Sequence, residues 1–397
     1  MRKTTIKRLI KPTFITFGRT HEKMIPFNKP YLTGKETSYL TEAVKQGKIS
    51  GNGHYTQLCQ NHFIQQLGNE KNLCTTSCTD ALEMCAILTD IKPGDEVIMP
   101  TYTFVSTANA FILRNAKVVF VDSRKDHPGM NEELIEKLIT EKTKAIVLVH
   151  YAGVACDMDK VVKIAKRHKL IVIEDAAQAI DSYYKGKPLG SIGDLGAFSF
   201  HETKNIQCGE GGLLTVNNFL FKERAEIIWE KGTNRSAFWR GEVDKYNWVD
   251  IGSSFLPSEL NTSFLFAQLE KIEEIQYKRK NIWKKYFNGL KKLEDFDVVL
   301  PVIPTYATNN AHLFYLICNS LEQRTALIDF LKKEGIMAVF HYICLHDSPY
   351  FLDKHDGREM PNAKKYENCL VRLPLWVNMT DEEVQYVIQK VLEFYKN

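Results

Sequence analysis

The sequence predicts a doubly wound α/β fold with a mainly parallel sheet, followed by a smaller C-terminal α+β domain, and three observations carry that prediction. Short runs whose central positions are all apolar, EVIMP (96–100), KVVFVD (117–122), AIVLVH (145–150) and LIVIED (170–175), read as strands covered on both faces. Helical patterns, TDALEMCAILTD (79–90) and MDKVVKIAKRHK (158–169), alternate with them, which is the order of βα units wound about a parallel sheet. After residue 217 the texture changes to longer, more polar and aromatic segments.

Past that point FKERAEIIWEKG (221–232) reads as a helix, and a polar and aromatic loop continues through Asp250. A helical region rich in Lys, Glu and aromatics spans Ser258 to about Leu293 and reads as the connector out of the large domain. The remainder offers strand HLFYLIC (312–318), helix EQRTALIDFLKKEG (322–335), strand MAVFHYI (337–343) and helix DEEVQYVIQKVLEFY (381–395). The expected division is a basic extension over 1–23, a large domain over 24–265 that includes an N-terminal arm, and a connector helix with the small domain over 266–397.

Composition removes several classes of function. With 397 residues, 44% of them apolar, the chain can bury a sizeable core. Its 52 basic residues are nearly matched by 48 acidic ones, so nucleic acid is not an expected partner. Nine cysteines scattered without CxxC pairs read as reduced thiols, giving neither a disulfide framework nor a metal site, and the expected compartment is the cytoplasm. No run reaches the roughly 18 apolar residues of a membrane helix. Residues 1–23 are basic and lack the pattern of a secretory signal; they read as a disordered extension, with Met24 an alternative start.

In open α/β sheets ligands bind beyond the carboxyl ends of the strands, so the residues that follow strands come first. Asp175 ends LIVIED, Phe104 follows EVIMPTYT, and Lys204 follows the apolar AFSF segment, ahead of the glycine-rich GEGG (209–212). A lone aspartate at a strand end most often caps the next helix; a chemical role needs a cationic partner. A protonated pyridine nitrogen about 4 Å away would gain on the order of 4 kcal/mol at an effective dielectric near 20, or roughly 3 pKa units, and would become an electron sink. Ser77, Cys78 and Thr79 precede a helix start that suits either an ordinary cap or a phosphate, and Ser199 lies five residues before Lys204. Together the residues describe pyridoxal phosphate: an imine to Lys204, Asp175 at the ring nitrogen, the helix start at the phosphate and Phe104 against the ring, where it also fits as a core aromatic. In GEGG no side chain blocks the cofactor. Arg235, Arg240 and Lys245 suit a diphosphate as well as a solvated loop. His341, Tyr342 and His346, near the end of a small-domain strand, suit a sugar or nucleotide pocket, though a packed histidine with one backbone partner is the commoner case for His341 and His346.

The segments SCTDALEM, PGDEVIMPTYTFVSTANA, VHYAGVACDMD, IEDAAQA, SFHETKN with GEGG, and GIMAVFHYICLH with RLPL, in this order, resemble the DegT family of sugar-nucleotide aminotransferases. These enzymes have the fold-type I architecture of pyridoxal-phosphate enzymes, and the resemblance covers Met24 to the C-terminus. KGTNRSAFWRGEVDKYNWVDIGSSF and FHYICLH are most similar to the branch that makes dTDP-4-amino-4,6-dideoxygalactose for a surface polysaccharide. The resemblance implies a homodimer with its site at the subunit interface, glutamate as donor and a dTDP-linked 4-keto-6-deoxyhexose as acceptor. It implies Lys204 as the imine-forming base, Asp175 at the pyridinium, Gln178 near the phenolic oxygen, Phe104 on the ring, and Cys78, Thr79 and Ser199 around the phosphate. Asn234, in the same segment as Arg235, Arg240 and Lys245, joins them as a candidate substrate residue. Relatives carry Asn and Arg in a GYNYR segment that reaches the neighbour's phosphate; here Ser254 and Leu256 stand at those places. A 3-keto or GDP-linked sugar aminotransferase, or a non-catalytic sensor on the same scaffold, are the competing readings.

Overall fold

The computed structural model describes residues 24–396; the basic extension 1–23 and Asn397 lie outside the described residues. Seven strands form the central sheet: β1 (Lys71–Thr75), β2 (Glu96–Pro100), β3 (Lys117–Val121), β4 (Thr143–Val149), β5 (Ile171–Asp175), β6 (Leu195–Ser199) and β7 (Gly212–Val216). Their spatial order is β1-β7-β6-β5-β4-β2-β3. Neighbours pair in parallel except around β7, which runs antiparallel to both β1 and β6. The strands read from apolar runs appear within two residues of the expected places.

Helices cover both faces, which is why the central strands carry no polar alternation. On one face Val97, Met99, Ala145 and Val147 pack against α3 (Cys78–Leu88) and α4 (Val105–Ile112). Ile98, Ile146 and Leu148 point the other way, toward α2 (His54–Leu67) and α5 (Met158–His168). A separate apolar cluster fills the C-terminal part, where β8 (Phe314–Ile317) pairs antiparallel with β9 (Leu370–Leu373) beneath α10 (Leu321–Lys333) and α12 (Asp381–Lys396). Ile25 joins this cluster and exchanges backbone hydrogen bonds with Gly335 and Met337, so the first described residues are tied to the C-terminal part.

Three segments differ from the sequence reading, the first being the loop that runs through Asp250, which holds a short helix, α7 (Arg235–Trp239), after α6 (Lys222–Trp229). The helical region from Ser258 is two helices, α8 (Glu259–Leu269) and α9 (Ile272–Gly289), broken at Lys271, whose φ of −118° and ψ of 15° leave the helical region. The break lets α8 lie along α1 (Glu36–Lys45) and α2 while α9 turns to α12. The segment 337–343 is not a strand. Val339 alone bridges to Arg372, after which side chains take over the backbone: the Arg372 guanidinium donates to the Phe340 carbonyl from Nε at 3.2 Å and Nη2 at 2.9 Å.

Candidate active site

The carboxyl ends of β4, β5 and β6 open into a cavity of about 820 Å³, closed from the far side by residues 337–342 and β9. Because side chains alternate along a strand, β5 sends its last two carboxylates to opposite faces. Glu174, fully buried, faces away from the cavity and is held by His150 Nε2 at 2.8 Å and by the amides of Gly190, Ile192 and Gly193 at 2.6–2.8 Å. Asp175 lines the cavity, accepting from the Thr107 hydroxyl at 2.7 Å and the Ala177 amide at 3.1 Å. Burial lifts its carboxyl above the usual carboxylate range; the Thr107 hydroxyl, the Ala177 amide and the Lys204 cation pull it partway back.

Lys204 stands in the turn between β6 and β7, its amide donating to the His201 carbonyl at 2.9 Å. Its amine, facing the cavity, makes no hydrogen bond or ion pair with any described residue. Burial lowers its pKa from the ordinary lysine value, opposed by Cys78 and Asp175. A lysine so placed reaches its neutral, nucleophilic form more readily than one in water.

The start of α3 forms another wall. Ser77 is its cap, its Oγ accepting from the Asp80 amide at 3.1 Å, and Thr79 donates to Ser106 Oγ at 2.8 Å. Gly212 explains how close the helix comes to the sheet: a Cβ there would lie 2.3–2.5 Å from the Ser77 carbonyl group and the Cys78 nitrogen. Phe104 is 56% exposed despite its size, presenting its ring at the cavity 6.4 Å from the Tyr342 ring. Gln178 is fixed at both ends, accepting from the Ala152 amide at 2.7 Å and donating to the Tyr342 hydroxyl at 2.8 Å. His341 stacks on Tyr342 at 3.6 Å and bonds the Tyr151 hydroxyl at 2.7 Å through Nδ1. Burial, with the Arg372 charge, holds His341 well below the usual histidine range, so it is neutral at pH 7.

Cys78, Thr79, Phe104, Asp175, Gln178, Ser199, Lys204, His341 and Tyr342 thus meet around one cavity. The other five residues singled out in the sequence do not line it in their own chain. Asn234 accepts from the Asn247 amide at 2.7 Å, and Arg240 is paired on the surface with Glu226 and Glu242. Arg235 and Lys245 are exposed on the same segment. His346 is packed away, its Nδ1 2.7 Å from Thr101 Oγ1, because that bond pins the turn after β2 to the C-terminal part. Ser254 bridges Glu230, and Leu256 packs against the core. Sequence reasoning missed Thr107, three residues after Phe104 and one helical turn along, and Arg372, which lies in the RLPL segment without a role of its own.

The model of the DegT/DnrJ/EryC1/StrS aminotransferase family matches residues 30–392. The chain belongs to this family. An uncharacterized protein of Methanocaldococcus jannaschii is 35% identical over 379 residues, which is 93% of this chain and 97% of that one. Among solved structures, Spr1654 from Streptococcus pneumoniae, described as a sugar aminotransferase and solved in its PMP form, superposes with a TM-score of 0.87 at 27% identity, covering 94% of this chain and 99% of the other. The aminotransferase TlmJ from Streptoalloteichus hindustanus gives 0.87 at 26% identity, covering 94% and 99%. The protein is therefore a sugar aminotransferase of the pyridoxal-phosphate type, with the fold-type I architecture of that class. Among the described residues no helix is long and apolar enough to cross a membrane.

Proposed function

We propose that this aminotransferase moves an amino group from glutamate to the 4-keto carbon of dTDP-4-keto-6-deoxyglucose, giving dTDP-4-amino-4,6-dideoxygalactose, and that it works in the cytoplasm as a homodimer with its site at the subunit interface. The observation that carries the reaction type is the placement of an unpaired lysine amine and a buried carboxylate in one cavity. Pyridoxal phosphate fits that cavity: Lys204 offers a free amine, Asp175 a buried anion with no bound cation, α3 an N-terminus brought close by Gly212, and Phe104 an open ring face. When bound, the cofactor supplies an electron sink that stabilises a carbanion at the substrate carbon.

The chain's own residues do the rest. Asp175 would hold a negative charge beside the ring nitrogen, with the Thr107 hydroxyl and the Ala177 amide favouring and aiming the ionised carboxylate. Cys78, Thr79 and Ser199, with the amides of α3, hold the phosphate. Gln178, immobilised by Ala152 and Tyr342, would meet the phenolic oxygen of the bound cofactor. Once the donor amine has displaced it, Lys204 Nζ takes the proton from the donor α-carbon; in the second half-reaction it delivers a proton to sugar C4. The face from which Nζ approaches sets the configuration at C4. His341 and Tyr342 line the sugar side, and Asn234, Arg235, Arg240 and Lys245 are proposed to serve the nucleotide of the partner's site, since they do not reach the cavity of their own chain.

Product analysis tests the reading. Purified protein given glutamate and dTDP-4-keto-6-deoxyglucose should yield an axial 4-amine by NMR; a 3-amine, an equatorial 4-amine or preference for a GDP-linked substrate would replace it. The sensor reading predicts no absorbance change when glutamate is added.

A further inference from the structure

Asn205, the residue after Lys204, is 3% exposed and ties the turn that carries the lysine to the C-terminal part. Its Nδ2 donates to Gln276 Oε1 and to the Asn310 carbonyl, both at 2.8 Å. A backbone carbonyl only accepts, so the amide is held with its nitrogen on that side and its oxygen on the other. On the other side, 3.0 Å from Oδ1, is Nδ1 of His312, two residues ahead of β8. An amide oxygen also only accepts, so Nδ1 carries the ring's hydrogen. Arg279 fixes the backbone at this point, its Nη2 donating to the His312 carbonyl at 2.7 Å. Burial, with the positive charges of Lys204, Arg279 and Arg372, holds His312 well below the usual histidine range, so the ring is neutral at pH 7 and its Nε2 is bare. His341 differs: the Tyr151 hydroxyl on its Nδ1 can donate or accept, and leaves the place of that hydrogen open.

His312 and Lys204 line the same cavity. Among the described residues Nε2 of the ring is an acceptor without a donor, and Nζ of the lysine a donor without an acceptor. The two stand apart, and the lysine side chain is the one free to swing, since the ring is pinned at Nδ1. Under the proposed function, on which this inference rests, Asp175 is taken up by the cofactor's ring nitrogen and is not open to the released amine. An uncharged acceptor suits an amine that must give its proton up again, whereas a carboxylate in the same place would favour the charged form and hold the lysine as a cation. We propose that His312 Nε2 accepts a hydrogen bond from Lys204 Nζ whenever the lysine is released from the cofactor, aiming the amine at the substrate carbon, and that Asn205 is the positioning residue that keeps Nε2 free of hydrogen. The proton still passes from the donor α-carbon to Nζ and from Nζ to sugar C4; His312 takes none of it.

The test is nitrogen NMR on protein carrying ring-labelled histidine, loaded directly with pyridoxal phosphate or with pyridoxamine phosphate, the form in which Lys204 is free. His312 is identified by the signals missing from His312→Phe or, should that chain not fold, from His312→Gln. Nε2 should resonate as an unprotonated ring nitrogen in both forms and move toward the hydrogen-bonded position in the pyridoxamine form alone. The displacement should vanish in Lys204→Met loaded with pyridoxamine phosphate, and in Asn205→Leu Nε2 should carry hydrogen in part of the population. A protonated Nε2 in the wild type, an Asn205→Leu chain whose Nε2 stays bare, no difference between the two forms, or a displacement that survives Lys204→Met would overturn the proposal. So would a displacement that waits for dTDP-glucose, which would give the acceptor to a sugar hydroxyl. In single turnovers with glutamate, His312→Phe should slow α-proton removal by about tenfold, the share of one hydrogen bond to a charged group, with glutamate affinity unchanged; an unchanged rate would count against it equally. A wild type that shows the displacement on direct loading yet ignores glutamate sinks the glutamate reading and leaves this inference standing.

Discussion

Lys204 and Asp175 are about thirty residues apart in sequence, and the fold makes them neighbours whose pKa values move toward each other, the amine down and the carboxyl up. Lys204→Ala should abolish the absorbance of the covalently held cofactor and all turnover while the circular dichroism stays native; retained turnover would remove Lys204 from the reaction. Asp175→Asn should still bind the cofactor but slow proton transfer by about 100- to 1000-fold, since the lost attraction is on the order of 3 to 4 kcal/mol at 4 Å and a dielectric near 20. Unchanged single-turnover rates would show that the carboxylate is no partner of the ring. The lysine also has a stability signature in the apoprotein. Its folded pKa lies below the unfolded value, so the unfolded chain binds the extra proton between the two, and stability rises with pH across that window. Lys204→Met should therefore raise the apoprotein Tm at pH 7, with the gain fading as pH climbs to about 10.5. A gain independent of pH would mean the amine is not desolvated.

At the scale of the element, the cavity depends on how closely α3 approaches β7. Gly212→Ala would drive a Cβ into the Ser77 carbonyl and the Cys78 amide, both backbone, so nothing flexible can give way. The helix start should shift and cofactor affinity fall by about tenfold or more, with stability down by about 1–3 kcal/mol; equilibrium dialysis and thermal melts read both. This constraint was half legible in the sequence: GEGG advertises close approach without saying to what. Strands β2 to β5 were legible because their central positions are apolar without alternation, and α3 and α5 because their apolar residues recur at helical spacing. Helix α2 was not, since Thr56 and Gln60 are buried among Tyr55, Cys59, Phe63 and Leu67 and blur its apolar stripe. The 337–343 segment misled because its composition is that of a strand while Arg372, Tyr151 and Gln178 hold it by side-chain bonds in place of a ladder. Arg372 was invisible as a cavity residue because only the placement of β9 brings it to the cavity wall.

Across the whole molecule, the site residues divide by origin. Those read from strand ends converge in one chain; those read from the 234–245 segment stay outside it, beside Trp239, Tyr246 and Trp248, which are 71%, 53% and 81% exposed. Large aromatics held that open alongside polar residues are characteristic of a protein interface. In the proposed homodimer this segment covers the partner's cavity, which would give both the aromatics and the unpaired Arg235 something to bind. Trp239→Glu with Trp248→Glu should convert a species of twice the chain mass into one of single mass by sedimentation, with native circular dichroism and lost turnover. Complementation separates a completed site from mere association. A chain carrying Lys204→Ala and a chain carrying both Asn234→Ala and Arg235→Ala should each be inactive alone, yet active once unfolded and refolded together, because the mixed dimer holds one site with an intact lysine facing an intact segment. If the mixture stays inactive while mixed dimers demonstrably form, the segment serves its own chain, and a movement of that loop toward the cavity would then be required to bring Arg235 to the substrate.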